Sequence, residues 1–166
     1  MMNVLLIHTD QQRYDSLGCN QLNRVPFILR LPGENLPAGT AVPMSNTDVM
    51  PTVLTSLGIE APGGIHGVDI LPYVRNGDSS RKVMVQAINN FDPGVRNLSL
   101  YDKRFRFTWY PEKDERELYD HDNDPLELDN IAGLPEHGRR CEDMLAGLVR
   151  MHAGMSQSCT GRVCSW

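Results

Sequence analysis

The stretch Arg104-Phe105-Arg106-Phe107-Thr108-Trp109-Tyr110 constrains the fold more than any other part of the sequence. A strand turns successive side chains to opposite faces. Phe105, Phe107 and Trp109 therefore share an apolar face, and Arg104, Arg106 and Thr108 share a wetted one. Such an apolar stripe must be covered by another element. Residues 98–101 precede it, and Asp102-Lys103 between the two runs fits a two-residue hairpin turn, although the usual glycine is missing. Val83-Met84-Val85-Gln86-Ala87-Ile88 and Glu117-Leu118-Tyr119-Asp120 read as further short strands, which predicts an antiparallel sheet of about four strands. Asp124-Pro125-Leu126-Glu127 is a helix-start signal that opens only a brief turn, because Gly133 and Pro135 intervene. A longer helix from Glu136 to about Ala153 supplies the cover. Met144, Leu145, Leu148, Val149 and His152 line one side of it, while Arg139, Arg140, Glu142, Asp143 and Arg150 mostly line the other. Gly147 weakens that helix by about 1 kcal/mol relative to alanine. From Met155 onward no periodicity remains, and a loose tail is expected.

The first half has a different character. Asn3 to Thr9 reads as a buried strand that ends in the polar burst Thr9-Asp10-Gln11-Gln12-Arg13. Val25-Pro26-Phe27-Ile28-Leu29-Arg30-Leu31, stopped by Pro32-Gly33, reads as a second strand buried on both faces, with Pro26 at its start. Residues 47–57 read as a helix that Asn46 or Thr47 can cap. Asp48 suits its first turn, the only place where Pro51 is tolerable, and Gly58 ends it in the left-handed conformation. Val49, Met50, Val53, Leu54 and Leu57 form its apolar face. Two strands and a helix in this order suggest part of an α/β unit. A loop rich in glycine and proline spans 61–72, and the hydrophilic stretch 75–82 marks a candidate boundary. The expected organisation is an α/β part over 1–78, an α+β subdomain over 79–153 and a flexible tail over 154–166.

Charge excludes some functions. With 21 acidic and 16 basic residues the net charge is −5, which argues against a general nucleic-acid binder and offers anions no long-range attraction. The apolar runs at 4–7 and 25–31 fall far short of the ~20 residues that span a bilayer. Met1 leads into Asn3-Val4-Leu5 with no basic start and no small-residue cleavage site, which predicts a cytoplasmic chain. Cys19, Cys141, Cys159 and Cys164 form no C-x-x-C pair and are expected to be free thiols.

The sharpest chemical signal is Asp10-Gln11 at the carboxyl end of the opening strand, where open α/β sheets bind ligands. Their oxygens suit Ca²⁺ or Mg²⁺, and they equally suit capping of the next turn. His8 reads as a core histidine, and His66 as a loop residue. His121, in Asp120-His121-Asp122-Asn123-Asp124, reads as part of a solvated turn, because the glycine and distant glutamate of a calcium loop are missing. Asn97-Leu98-Ser99 is a formal glycosylation sequon that means nothing without a secretory signal.

These segments together resemble a known family. Asn3-Val4-Leu5-Leu6-Ile7 with Thr9-Asp10-Gln11-Gln12-Arg13 and Leu17-Gly18-Cys19 resembles the opening of the sulfatases of the alkaline-phosphatase-like superfamily. Residues 24–33 resemble their late core strand. Asp48-Val49-Met50-Pro51-Thr52-Val53-Leu54 through Gly58, Gly67 and Leu71-Pro72 resemble the helix and loop that close their large domain. Glu117-Leu118-Tyr119-Asp120 with Asn123-Asp124-Pro125, Glu127 and Asn130 resembles their C-terminal signature. The resemblance implies a remnant of the alkaline-phosphatase-like parallel sheet followed by a small α+β subdomain, an antiparallel four-stranded sheet with a C-terminal helix. It implies a sulfuric ester hydrolase acting on sulfate esters with Ca²⁺, with Asp10 and Gln11 as metal ligands and Arg13 nearby.

It also exposes a gap. Only residues 20–24 lie between Cys19 and Val25, where the family places most of its catalytic domain. That stretch normally carries Cys-x-Pro-x-Arg, whose cysteine or serine becomes the formylglycine nucleophile, and none of the four cysteines here stands in that pattern. No catalytic residue is therefore assigned, and Ca²⁺ is expected to bind weakly or not at all. Two readings follow: a hydrolase by descent with activity absent or residual, or a non-catalytic module with exposed sheet edges that invite self-association.

Overall fold

In the computed structural model the described residues are 27–37, 39–88 and 96–158. The expected opening strand, with His8, Asp10, Gln11 and Arg13, lies outside them. The chain forms α1 (Val49–Ser56), α2 (Leu71–Asn76), then β1 (Val83–Ile88), β2 (Arg96–Tyr101), β3 (Phe105–Tyr110) and β4 (Glu115–Asp120), and last α3 (Gly138–Ser158). The strands form one sheet in the order β1-β2-β3-β4, each antiparallel to its neighbour.

Register follows from the alternation in β3. Phe107 pairs with Leu100 on β2 and with Leu118 on β4. All three are fully buried, together with Leu148 of α3. Met84, Leu98, Phe105, Cys141 and Met144 complete this core. The opposite side of β2 and β3 is not simply wet, because Ser99 and Thr108 are buried there with their hydroxyls 2.9 Å apart. A paired hydroxyl couple is a tolerable buried polar group.

The β2–β3 turn lies one place later than the sequence suggests. Tyr101 pairs with Arg106, so Lys103 and Arg104 form its centre. Neither has positive φ. The Asp102 carboxylate takes over the role of the missing glycine by accepting from the amides of Arg104 at 2.8 Å and Phe105 at 2.6 Å. The β3–β4 connection is Pro111-Glu112-Lys113-Asp114, with Asp114 left-handed at φ 51. That closure draws Glu115 and Arg116 into β4, ahead of the expected start at Glu117.

The helix α3 begins after a 3-10 turn at Pro135–His137. Its buried line is Cys141, Met144 and Leu148, with Leu145, Met151 and Met155 at the margin. This corrects the expected face, since Val149 is 49% exposed and His152 is exposed. The helix also runs to Ser158, beyond the expected end near Ala153, and Met155 on that extension still packs on the core. Gly147 sits where the helix meets the sheet closely. A Cβ there would lie 3.3 Å from Leu100 Cδ2, so close approach compensates for its poor helix propensity.

The earlier part is held by polar groups. Residues 27–31 form no strand, and Ile28 is 83% exposed. A strand buried on both faces needs neighbours, and among the described residues every strand belongs to β1–β4. Ser45, not Asn46 or Thr47, caps the 3-10 turn Asn46–Asp48 that leads into α1, in a capping box with Asp48. In α1 itself Pro51 and Thr52 are buried, whereas Met50 of the expected apolar face is 56% exposed. Gly58 is left-handed at φ 71, as its position implied. The unpredicted α2 has proline in its first turn and ends at left-handed Gly77.

Candidate functional site

Two polar assemblies dominate the described residues. The first is built on β3 and the turn after β4. From the turn just before β3, Arg104 donates to both oxygens of Asp120, at 2.8 and 2.5 Å. Asp120 also accepts from the Asn123 amide at 2.8 Å and the Asp122 N–H at 3.2 Å. The Arg104 guanidinium, against the opposing effect of burial, holds the Asp120 carboxyl down at about 2. Two residues along β3, Arg106 reaches Glu127 at 2.8 Å and stacks on Tyr119, 4.7 Å from its centroid. Glu127 meets His121 Nε2 at 2.7 Å and is left-handed at φ 56, a conformation that needs such anchoring in a non-glycine residue. Asn130 then fastens the segment to β4. Its Oδ1 accepts from Leu118 and Ala132, and its Nδ2 donates to the Arg116 carbonyl.

Asp120, Asn123, Glu127 and Asn130 thus each hold backbone or a partner side chain. The acidic stretch around His121 is a turn, as expected, but not a solvated one: the His121 side chain is 7% exposed. Among the described residues no group of three or more His, Cys, Asp or Glu stands where it could hold a metal ion. The carboxylates of the acidic turn, Asp120 and Glu127, are already engaged by Arg104, Arg106 and His121, which fits a structural turn and not a calcium loop. Asp10 and Gln11, assigned to calcium from the sequence, lie outside the described residues.

The Asp120 arrangement has a pH consequence. An unfolded aspartate titrates near 4, and the folded carboxyl titrates near 2. A depressed folded value stabilises the fold above about pH 4, and this contribution is lost as pH falls through about 2. Urea midpoints of Asp120→Asn are expected to fall below wild type at neutral pH and to decline less steeply between about pH 4 and 2. Parallel pH curves for the two proteins would contradict this.

The second assembly surrounds Asp48, which is fully buried. Its oxygens accept from both terminal nitrogens of Arg81 at 2.8 Å, from Ser45 N–H at 2.6 Å and from Val68 N–H at 2.9 Å. Arg81 also donates to the Pro43 carbonyl at 2.7 Å. Thr52 bridges the Asp48 carbonyl and the Ile70 amide. Gly67 passes so close that a Cβ would lie 1.9 Å from the Thr47 carbonyl oxygen. That carbonyl faces Pro51, which has no N–H to offer it four residues on. Residues read from the sequence as helix start, loop and boundary are therefore joined through one carboxylate.

Neither assembly presents a nucleophile beside a base. Cys141 is buried, burial pushes its thiol up, and its nearest acceptor is the Ala132 carbonyl at 3.9 Å. A buried neutral thiol is unreactive. His66 lies exposed on the loop before Gly67.

Two concavities stand out among the described residues. One, of about 380 Å³, lies between residues 31–34, the end of α1 and Arg75, and is crossed by the Arg75–Glu34 pair at 2.7 Å. The other, of about 600 Å³, lies between residues 77–82, the β2–β3 turn and Arg140.

Comparison with known proteins agrees with this architecture. The family described as N-sulphoglucosamine sulphohydrolase, C-terminal, matches residues 17–153. An ulvan-active sulfatase of Formosa agariphila is 31% identical over 119 residues, covering 68% of this chain and 23% of that protein. An N-acetylglucosamine-6-O-sulfatase of Bacteroides thetaiotaomicron is 27% identical over 134 residues, covering 75% of this chain and 24% of that protein. A phosphonate monoester hydrolase from Silicibacter pomeroyi shares the fold with a TM-score of 0.58 at 23% identity, covering 75% of this chain and 28% of that one. The chain spans about a quarter of the length of the curated relatives it matches.

Proposed function

This chain belongs to the sulfatase family through its C-terminal part, and from that premise we propose that it supplies the family's scaffold without the ester-cleaving centre. One observation carries the reading: the signature residues Asp120, Asn123, Glu127 and Asn130 are all engaged in holding the turn after β4. They explain the family likeness as architecture. Sulfatases as a family hydrolyse sulfuric esters, and the substrate class proposed for the protein to which this scaffold belongs is a sulfate ester. The 166 residues contain no Cys-x-Pro-x-Arg and no serine version of it, so the formylglycine nucleophile has no precursor here. Asp10 and Gln11 remain the ligands proposed for Ca²⁺, with Arg13 close by. An ion that takes six to eight oxygens would need the rest from elsewhere. The proposed organisation is a remnant of the large α/β domain over 1–78 and a subdomain that begins near 79, folds on its own core and continues through α3 to Ser158 rather than ending at 153.

Hydrolysis of a chromogenic aryl sulfate, with and without Ca²⁺, tests the reading. No turnover above that of Asp10→Ala is expected. Calcium-dependent turnover that Asp10→Ala abolishes would overturn it and restore the hydrolase assignment.

A further inference from the structure

The two edges of the sheet differ. Along β4 the outward backbone is occupied. Asn130 Oδ1 accepts from the Leu118 N–H, Asn130 Nδ2 donates to the Arg116 carbonyl, and the Ile131 N–H donates to the Leu118 carbonyl. β1, at the other end of the order β1-β2-β3-β4, has backbone partners only on β2 among the described residues. It also lacks the devices that protect a free edge. Six consecutive residues pair with β2 without a bulge, and Val83-Met84-Val85-Gln86-Ala87-Ile88 contains no proline and no charge. On the side of the sheet away from the core, Val85 begins the cross-strand row Val85–Ser99–Thr108–Glu117. Ser99 and Thr108 are buried, whereas Val85 is 42% exposed at the open end of that row.

We infer that the free edge of β1 pairs antiparallel with β1 of a second copy of this chain, about a two-fold axis at Val85. With one edge covered and one free, such an isologous contact consumes the free edge of both copies and closes at two. The axis sets Val85 opposite its own counterpart and Val83 opposite Ala87. Residues directly opposite in an antiparallel pair share a face, so the row that ends at Val85 in one copy runs on into the other. Each copy carries a net charge of −5, but the paired strands are uncharged and the two Lys82 residues fall at opposite ends of the contact. Six residues a side fall well short of the roughly 20–30 of a standard interface, so the association is weak and concentration-dependent.

Sedimentation velocity of the full chain, from micromolar to millimolar concentration, tests this. A monomer–dimer equilibrium with no larger species is expected. Val85→Lys should weaken dimerisation roughly tenfold, because it sets like charges face to face, and Val85→Glu should do the same. An equimolar mixture of the two variants should restore the dimer, since opposite charges then meet at the axis. Leu128→Lys, at a position 76% exposed in the turn after β4, should leave the equilibrium unchanged. Thermal melts check that each variant is folded. In the wild type, hydrogen exchange of the β1 amides should slow as concentration rises, a readout that needs no variant. A chain monomeric throughout, assembly beyond the dimer, β1 exchange that ignores concentration, no rescue in the mixture, or equal weakening by Leu128→Lys would each overturn the inference. The readouts are mass and exchange, not turnover, so either result leaves the scaffold reading standing.

Discussion

Asp48→Ala is expected to destabilise the segment from Pro43 to Arg81 by about 3–5 kcal/mol, the typical loss when one member of a buried ion pair is removed. The size follows from what is left behind. Arg81, with its side chain 13% exposed, would keep a charge with no carboxylate, and the amides of Ser45 and Val68 would lose their acceptor. Each such orphan adds a desolvation penalty of about 1–3 kcal/mol. Arg81→Met should be milder, because the two amides and the capping box still satisfy Asp48. Hydrogen exchange reads the result by place. Protection should fall at Ser45, Val68 and Ile70, while the amides of β2 to β4 keep theirs if residues 79–153 fold as a separate unit. Equal loss in the sheet would contradict that division.

Phe107→Ala is expected to cost about 3–5 kcal/mol at the centre of the sheet, a large share of the 5–15 kcal/mol that holds a typical domain together. Phe107 is fully buried between Leu100 and Leu118, in one core with Met144 and Leu148. A cavity closed on all sides cannot collapse cheaply. Val149→Ala provides the contrast. Val149 stands beside Leu148 in sequence but is 49% exposed, so its loss should stay within about 0.5 kcal/mol. Urea midpoints separate the two. A Val149 effect comparable with that of Phe107 would mean that the helix sits on the sheet by the face the sequence pattern favours.

That contrast shows how far the residues alone could be read. β1 was legible because Val83 to Ile88 is apolar except for Gln86 and bounded by polar residues, and β3 because its period of two admits one register. The start of β4 was not, because Glu115-Arg116-Glu117 carries no apolar signal and joins the sheet through the turn that precedes it. The hairpin centre shifted by one residue because a carboxylate, not a glycine, shapes it. α1 misled more seriously. Its apolar residues suggested a buried face, but the buried positions are Pro51, Thr52 and, just before the helix, Asp48, the last two through hydrogen bonds that no hydrophobic period records.

The polar assemblies were legible only in part. Glu117 to Asn130 was recognisable as a signature, but the partners of Asp120 and Glu127 lie on β3, far back in the sequence. One signal was available. Alternation places Arg104 and Arg106 together on the polar side of β3, and the hairpin brings β4 and its acidic turn alongside. Cationic rows beside an acidic turn predict pairing across the strands. The Asp48–Arg81 pair had no such signal, because α1, α2 and the loop between them separate the two residues and no strand pairing or helical period links them.

The family's carboxylates act here either as architecture or as ion ligands. Calorimetric melting of the full chain against increasing Ca²⁺ addresses that directly, since an ion stabilises a fold only as its concentration exceeds the dissociation constant. The predicted result is a midpoint that does not move through millimolar Ca²⁺. A midpoint that climbs with the logarithm of Ca²⁺ would contradict it.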